Sequence, residues 1–298
     1  MRMGAVGVAI LALLTLDSAA GACTCGVPGL ESALTSPREL WGTRLAESFA
    51  EGHGRWDARG RYRALASGDR ERRYELEALA AVRPASPWEL SASTSYVRAS
   101  TSGAGWSSSL SGLGDTFARA RYEASEEAPP HREGLPWPSL ALTGSLRMPT
   151  AHADRRTNLG LGAYEVGLGA TVERSIKARL RVSASGVFAW RAPDHSLGAP
   201  RRLGPRAAAQ IAGLYWPHPD LVLSLASNLT WEADTRYAAE RQVGSGSRQW
   251  QVGAGAVFRP DGSRLRAGFR VRYAPPLRAV SVNTLGETSL DLSLSYAH

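Results

Sequence analysis

The feature that most constrains the fold of this chain is an alternation of apolar and polar side chains that recurs from about residue 70 onward. It is clearest in residues 178–191, where one set of alternate positions is apolar: Leu180, Val182, Ala184, Gly186, Phe188 and Trp190. The intervening positions carry mainly Arg and Ser. Successive side chains on a β-strand point to opposite faces, whereas helical spacing would mix these residues on every face. The pattern predicts a strand with one apolar and one mainly polar face.

The same alternation recurs along the chain, and the links between the segments alternate in length. It is present at residues 139–148, 164–173, 221–232, 249–259 and 264–273. Short links follow alternate segments: Arg83–Pro87, Arg174–Lys177, Pro217–Asp220 and Pro260–Ser263. Longer polar links lie between them, and the long link Ser125–Leu135 is a misfit where a short turn is due. Counting from Trp41–Ala50 to Glu287–Tyr296 gives about twelve strands, and an even count with short turns at one end is typical of outer-membrane barrels.

Aromatic residues tend to occupy the ends of the apolar faces. We expect a lipid-facing girdle formed by Trp88, Tyr164, Trp190, Trp231, Trp250, Tyr273 and Tyr296, because Trp and Tyr collect where an apolar wall meets lipid headgroups. A soluble sandwich would place its bulky apolar residues in mid-strand. The predicted fold class is therefore all-β, a transmembrane antiparallel up-and-down β-barrel of about twelve strands.

The N-terminal residues predict export. Arg2 precedes the apolar run Gly4–Leu16, which is too short to span a bilayer as a helix, and Ala20-Gly21-Ala22 provides a small-x-small cleavage pattern. We expect a signal peptide at residues 1–22, a periplasmic N-terminal segment at 23–39 and the barrel at 40–298. Both termini would then be periplasmic in a Gram-negative outer membrane. Cys23 is either a plain mature terminus or a lipidation site, although Ala20 stands where lipobox sequences usually have Leu.

The polar faces carry charges that a barrel would turn inward. The expected lumen-lining residues are Asp115, Arg119, Arg121, Glu165, Glu173, Arg179, Arg181, Arg266, Arg270 and Arg272. Two interpretations stay open. The arginines could line a path that favours anionic or polarised solutes, or they could form an interior salt-bridge lattice that plugs a narrow barrel.

The sequence offers no convincing catalytic, metal or cofactor motif. The histidines form no H-x-x-x-H or H-E-x-x-H pair, and Gly160-Leu161-Gly162 lacks the third glycine of a dinucleotide loop. The net charge is +8, but the basic residues are spread among carboxylates, without the clustering of a nucleic-acid module. We therefore expect no enzyme, no metal, no cofactor and no nucleic-acid partner.

Three consecutive segments resemble a known family. Gly112–Tyr122 (GLGDTFARARY), Leu140–Thr150 (LALTGSLRMPT) and Gly160–Gly169 (GLGAYEVGLG) are similar to the transporter-like outer-membrane barrels associated with meta-pathway phenol degradation. Ala151 replaces the Gly expected after Pro149-Thr150. The resemblance covers roughly residues 110–192 and implies a channel or transport role for hydrophobic or aromatic compounds.

The expected function is a passive channel or transporter for small solutes of unknown identity. Its partners would be outer-membrane lipid and the barrel-assembly machinery, since the last strand ends near Tyr296. Two alternatives remain: a non-conducting structural or surface-interaction barrel, and a soluble periplasmic β-sandwich that binds a ligand.

Overall fold

The computed structural model of the 298-residue chain describes residues 39–125, 138–151, 162–177, 179–193, 201–237, 240–260 and 262–298. The predicted signal peptide and Cys23 lie outside these residues, as does most of the link Ser125–Leu135. None of the described segments is a helix, and none supplies an apolar helix long enough to cross a membrane.

Twelve strands form one closed antiparallel wall, which confirms the predicted fold class. They are β1 (Trp41–Trp56), β2 (Arg70–Ala85), β3 (Trp88–Gly103), β4 (Thr116–Ser125), β5 (Ser139–Met148), β6 (Glu165–Lys177), β7 (Leu180–Arg191), β8 (Arg206–His218), β9 (Leu221–Glu232), β10 (Ser247–Phe258), β11 (Leu265–Tyr273) and β12 (Thr284–Ala297). Each strand pairs with its neighbours in sequence, and β12 pairs with β1 from Gly42–Ala297 to Trp56–Thr284. The closed wall replaces the sandwich alternative.

Accessory strands extend the wall or lie in the loops. Tyr62–Ala64 pairs with the end of β1, and Trp106–Leu113 pairs with the distal part of β3. A separate three-stranded sheet joins Arg201–Arg202, Arg236–Tyr237 and Glu240–Arg241. All of these lie at the end of the barrel opposite the strand termini Trp41 and Ala297, which we call the loop end; the other is the turn end.

The strands at the turn end run further than the alternation predicted. The expected link Arg174–Lys177 belongs to β6, Pro217 and His218 belong to β8, and β2 continues to Ala85. Each of these strands has a register shift just before its turn. Backbone pairing continues through such irregularities whatever the polarity of the side chains, so a sequence pattern places the turn too early.

The apolar positions face outward and the polar positions face inward. Leu225 at the middle of β9 is 68% exposed and Leu168 on β6 is 60% exposed. Inward arginines such as Arg206 and Arg272 are 2% and 3% exposed. A soluble protein would show the reverse distribution, because exposed apolar surface is unfavourable in water. In a bilayer the outer leucines contact acyl chains.

Two rings of aromatic side chains flank the apolar band. At the loop end lie Tyr164, Trp190, Trp231, Trp250 and Tyr273, and at the turn end lie Trp41, Trp88, Tyr122, Tyr215, Phe258 and Tyr296. Ring contacts join Trp88 to Tyr122 at 4.9 Å and Trp41 to Tyr296 at 5.4 Å between centroids. The seven girdle residues chosen from the sequence fall in these two rings.

One carboxylate interrupts the outward apolar face. Glu47 is exposed on β1 between Leu45 and Phe49, in register with Leu76 and Leu292. No described residue forms an ion pair with it in the structure. An ionised side chain that faces hydrocarbon is unfavourable, so Glu47 lowers the stability of this part of the wall.

A charge introduced in mid-wall tests the orientation of the faces. Leu225→Arg is expected to lower the free energy of unfolding by about 2–4 kcal/mol, because the guanidinium would face the bilayer midplane. Denaturant titration in phospholipid vesicles measures this change. The matched control is Val243→Arg in a loop, where the residue is 86% exposed and no loss is expected. Equal effects of the two substitutions would show that Leu225 does not face lipid.

Removal of the outward carboxylate is expected to have the opposite effect. Glu47→Leu should raise the free energy of unfolding by up to about 2 kcal/mol in the same titration, since a carboxylate costs less than an arginine at such a site. Glu51→Leu is the control, because Glu51 forms an exposed ion pair with Arg72 at 3.0 Å and such pairs contribute little. A loss of stability in Glu47→Leu would contradict the lipid-facing placement.

Candidate functional site: the barrel lumen

The lumen has a charged side and a side lined by small residues. The charged side is formed by the inward positions of β11, β12 and β1 to β4: Arg44, Arg73, Glu75, Glu77, Arg119, Arg121, Arg270, Arg272, Glu287 and Asp291. Because strand register places alternate residues of neighbouring strands on the same face, these side chains lie beside one another in space although they are distant in sequence.

Ion pairs neutralise most of the charged side. Asp291 on β12 accepts hydrogen bonds from Arg270 Nε and Arg272 Nη2, both at 2.9 Å, and Arg44 pairs with Glu77 at 2.7 Å. The donors are arginines, whose planar guanidinium matches a carboxylate geometrically. A charge removed from water is unfavourable unless it is paired, so these contacts offset the cost of burying the charges.

A second set of ion pairs crosses the opposite half of the lumen at the loop end. We call it the loop-end belt: Asp115, Arg147, Glu165, Arg191, Arg206 and Glu232. Arg147 pairs with Asp115 at 2.7 Å, and Arg191 pairs with Glu165 at 2.6 Å and with Glu232 at 2.8 Å. Register contributes, because Arg147 lies opposite Glu165 and Glu165 opposite Arg191. The belt therefore runs from Asp115, which directly precedes β4, to Glu232 at the end of β9.

The turn end carries a third group of inward charges. Arg83 lies 3.4 Å from Glu123 and 3.7 Å from Glu89, and its side chain is 3% exposed. Arg266 pairs with Glu39, which directly precedes the wall in the chain. Glu39 is the one residue of the predicted N-terminal segment 23–39 that the structure describes, and it contacts the interior wall.

The other side of the lumen, on β5 to β10, has short side chains at mid-height. These residues are Thr143, Ser145, Gly167, Gly169, Thr171, Ser183, Ser185, Val187, Ala208, Ala212, Ser224, Ala226, Gly253 and Gly255. Towards the turn end they join an apolar cluster in which Ala212, Leu214 and Ala226 pack against Trp216 and Val222. Such side chains extend less far into the lumen than the arginines of the charged side.

The predicted lumen residues occupy three kinds of position. The first kind is buried on the inner face of the wall and comprises Asp115, Arg119, Arg121, Glu165, Arg266 and Arg272. The second kind also faces inward but is less buried, and it comprises Glu173, Arg181 and Arg270. Arg179 is different: it lies in the exposed turn between β6 and β7, where its guanidinium donates to the Pro217 carbonyl at 3.3 Å. Arg179 therefore belongs to the rim at the turn end, because β7 begins one residue after it.

Sequence reasoning selected Asp115 and Glu165 but not the other four residues of the loop-end belt. Arg147 and Arg191 have the same parity as inward residues of β5 and β7, so alternation alone identifies them. Glu287 and Asp291 alternate with the leucines of β12 in the same way. The alternation does not predict which carboxylate each arginine contacts. Arg191 and Glu232 are 41 residues apart in the sequence, and they meet only because β8 pairs with both β7 and β9.

Local hydrogen bonds also organise the loops at the loop end. The Asp57 carboxylate accepts the backbone N–H of Arg61 at 3.0 Å and of Arg59 at 2.9 Å, and the Arg61 guanidinium at 2.8 Å. These donors stabilise the ionised form and lower the pKa of Asp57 to about 2. Asp57 therefore remains charged at neutral pH. Within the described ranges, no group of three or more His, Cys, Asp or Glu residues is arranged to hold a metal ion.

A closed antiparallel wall with an apolar exterior, two aromatic girdles and a charged interior defines an outer-membrane β-barrel protein. The family described as "Putative MetA-pathway of phenol degradation" matches residues 78–282, which is more than half of the chain. The chain belongs to this family, as the resemblance of residues 110–192 predicted.

Solved structures show the same architecture. The COG4313 outer membrane channel from Pseudomonas putida F1 is similar over 88% of this chain and 97% of that chain, with a TM-score of 0.72 and 15% identity. The translocator domain of the autotransporter NalP from Neisseria meningitidis has a TM-score of 0.52 and 11% identity, over 86% of this chain and 88% of that chain. At these identities the likeness shows the fold. Among curated proteins, none matches the chain.

Loss of Arg191 is expected to destabilise the barrel strongly. Its side chain is 1% exposed and contacts two carboxylates, so Arg191→Met leaves Glu165 and Glu232 with reduced compensation. Removal of one partner of a buried ion pair costs about 3–5 kcal/mol, which denaturant titration would detect. Arg259→Met is the control, because Arg259 is exposed at the turn end. A loss no larger than that of the control would show that the belt is not a structural element.

Proposed function

We propose that this protein is a passive channel for small solutes in the outer membrane, and that small aromatic compounds are among them. The observation that carries the proposal is the two-sided lumen, in which short side chains on β5 to β10 face the arginines of the charged side. The description of the family, which refers to phenol degradation, supports an aromatic substrate class. The COG4313 relative is described as a channel, which agrees with a transport role.

The two sides would serve different parts of such a solute. An aromatic ring can contact the partly buried Ala208, which packs against Val187 and offers an apolar surface. Its hydroxyl or other polar group can exchange hydrogen bonds with the inward serines and with Gln210 and Asn228, which bond to each other. A path of this kind needs no cofactor and no catalytic group.

Charge pairing argues against a strongly anion-selective path. Most inward arginines contact a carboxylate, as Arg272 does with Asp291 and Arg147 with Asp115. The field in the lumen is therefore weaker than that of an unpaired arginine ring, and steering of anions should be correspondingly modest.

A non-conducting barrel is the second candidate. The loop-end belt supports it, because no side chain of the belt is more than 13% exposed and its ion pairs span half of the lumen. In that case the interior would be a structural lattice and the loops would carry the biological role. Conductance separates the two candidates.

We also propose the remaining expectations about export, orientation and assembly. An export signal at residues 1–22, periplasmic termini and insertion by the barrel-assembly machinery are consistent with short turns on the side of Trp41 and Ala297. Lipidation of Cys23 remains an open alternative to a plain terminus. We also propose that the protein is not an enzyme.

Adjacent alanines on β8 allow a matched test of the path. Ala208 faces the lumen against Val187, whereas Ala209 is exposed on the outer wall. Ala208→Trp should reduce single-channel conductance in planar bilayers and slow the entry of phenol into proteoliposomes, because the indole would fill space beside the small-residue side. Ala209→Trp should leave both rates unchanged, since the indole would face lipid.

Correct folding of each variant is checked by heat-modifiability on a gel. Absence of current and of phenol entry in the folded wild-type protein would refute the channel and favour the structural barrel. Equal rates in the two folded tryptophan variants would show that solutes do not pass beside Ala208.

A further inference from the structure

Three arginines form a row on the small sheet at the loop end. In its register Arg202 lies opposite Arg236, and Arg236 lies opposite Arg241. Residues directly opposed in antiparallel strands project from the same face of a sheet. The row of Arg202, Arg236 and Arg241, which we call the arginine row, therefore presents three guanidinium-bearing side chains on one face.

The arginine row is not neutralised as the lumen charges are. Arg241 Nε donates to Asp234 Oδ2 at 2.8 Å. In the parts of the chain that the structure describes, no ion pair joins Arg202 or Arg236 to a carboxylate. Like charges placed opposite one another destabilise a sheet, so this arrangement is unfavourable without a negatively charged ligand.

The same arginines border a defined cavity of about 300 Å³. Its other lining residues are Trp190, Arg191, Leu203, Gly204, Pro205, Ala233 and Asp234. Arg191 adds little net charge, because it is paired with Glu165 and Glu232. The positive character of the cavity thus comes from the arginine row.

Close packing of two loops builds the walls of this cavity. The Ala233 backbone N–H donates to the Pro205 carbonyl at 2.9 Å. A Cβ atom at position 204 would lie 2.2 Å from the Ala233 carbonyl oxygen, so Gly204 permits an approach that other residues would prevent. The Asp234 carboxylate also accepts the Gly246 N–H at 2.7 Å, which connects the cavity to the start of β10.

We propose that the arginine row is a binding site for phosphate groups, and in particular for the phosphates of a lipid headgroup. Guanidinium groups bind phosphate oxygens in pairs, and neighbouring strands place them about 5 Å apart, so the row can contact more than one phosphate. The half-exposed Trp190 beside the cavity belongs to the loop-end girdle, at the height where headgroups meet the apolar wall. A soluble phosphate has the same chemistry and is the other source of such a ligand.

Titration of the full refolded chain in detergent tests this site. The ligands are diphosphoryl lipid A, the same lipid without its phosphates, and inorganic phosphate, each followed by calorimetry. The variant is Arg202→Gln with Arg236→Gln. The control is Arg59→Gln with Arg278→Gln, which removes the same charge from two exposed loop arginines at the same end. Heat-modifiability confirms that both proteins are folded.

The phosphorylated lipid should bind the wild type and the control equally, and the arginine-row variant about tenfold or more weakly. The lipid without phosphates should bind all three proteins weakly. If inorganic phosphate alone reproduces the arginine-dependent affinity, the site stands and its ligand is soluble. Equal binding by variant and control, or equal binding of the two lipids, would overturn the proposal. This experiment does not measure conductance, so the proposed phosphate site and the proposed channel function are tested independently.

Discussion

Closure of the wall between β1 and β12 is the constraint on which the rest of this structure depends. Within hydrocarbon every backbone N–H and C=O group must find a partner in the protein, because no water is available to replace one. The pairing that runs from Gly42–Ala297 to Trp56–Thr284 removes the two edges that an open sheet would leave. Once the edges are joined, the side-chain alternation of every strand acquires a defined inside and outside.

Closure also determines where the charges must go. An outward arginine would face lipid, so the polar half of each strand is turned into a narrow interior where arginines and carboxylates are forced together. Arg272 with Asp291 and Arg191 with Glu165 illustrate the outcome on opposite sides of the lumen. The pairs are buried, and their loss would leave an uncompensated charge rather than merely one contact fewer. The same lattice that stabilises the interior also limits its field, which is why a path for weakly polar solutes fits this barrel better than a strongly charged pore.

The site could be predicted from the sequence in part. The alternation along each strand predicts that Asp115, Glu165 and Arg272 face the interior, because the face of a residue depends only on its position in its own strand. The same reasoning is wrong for Arg179. The end of β6 has an irregular register, so the turn lies further along the chain than the alternation predicts and includes Arg179. The arginine row was missed altogether, because strands of two residues carry too little alternation to be recognised.

The sequence by itself determined the class of fold, the strand count, the outward face and the family, since each follows from a local two-residue period or from short motifs. Only the tertiary structure decided which charges meet. Glu39 forms an ion pair with Arg266, 227 residues away in the sequence. Arg202 lies opposite Arg236 in the small sheet at the loop end. The physical reason is that register between strands is fixed by backbone pairing around the whole barrel. Charges that are distant in the sequence therefore meet only when this pairing has formed.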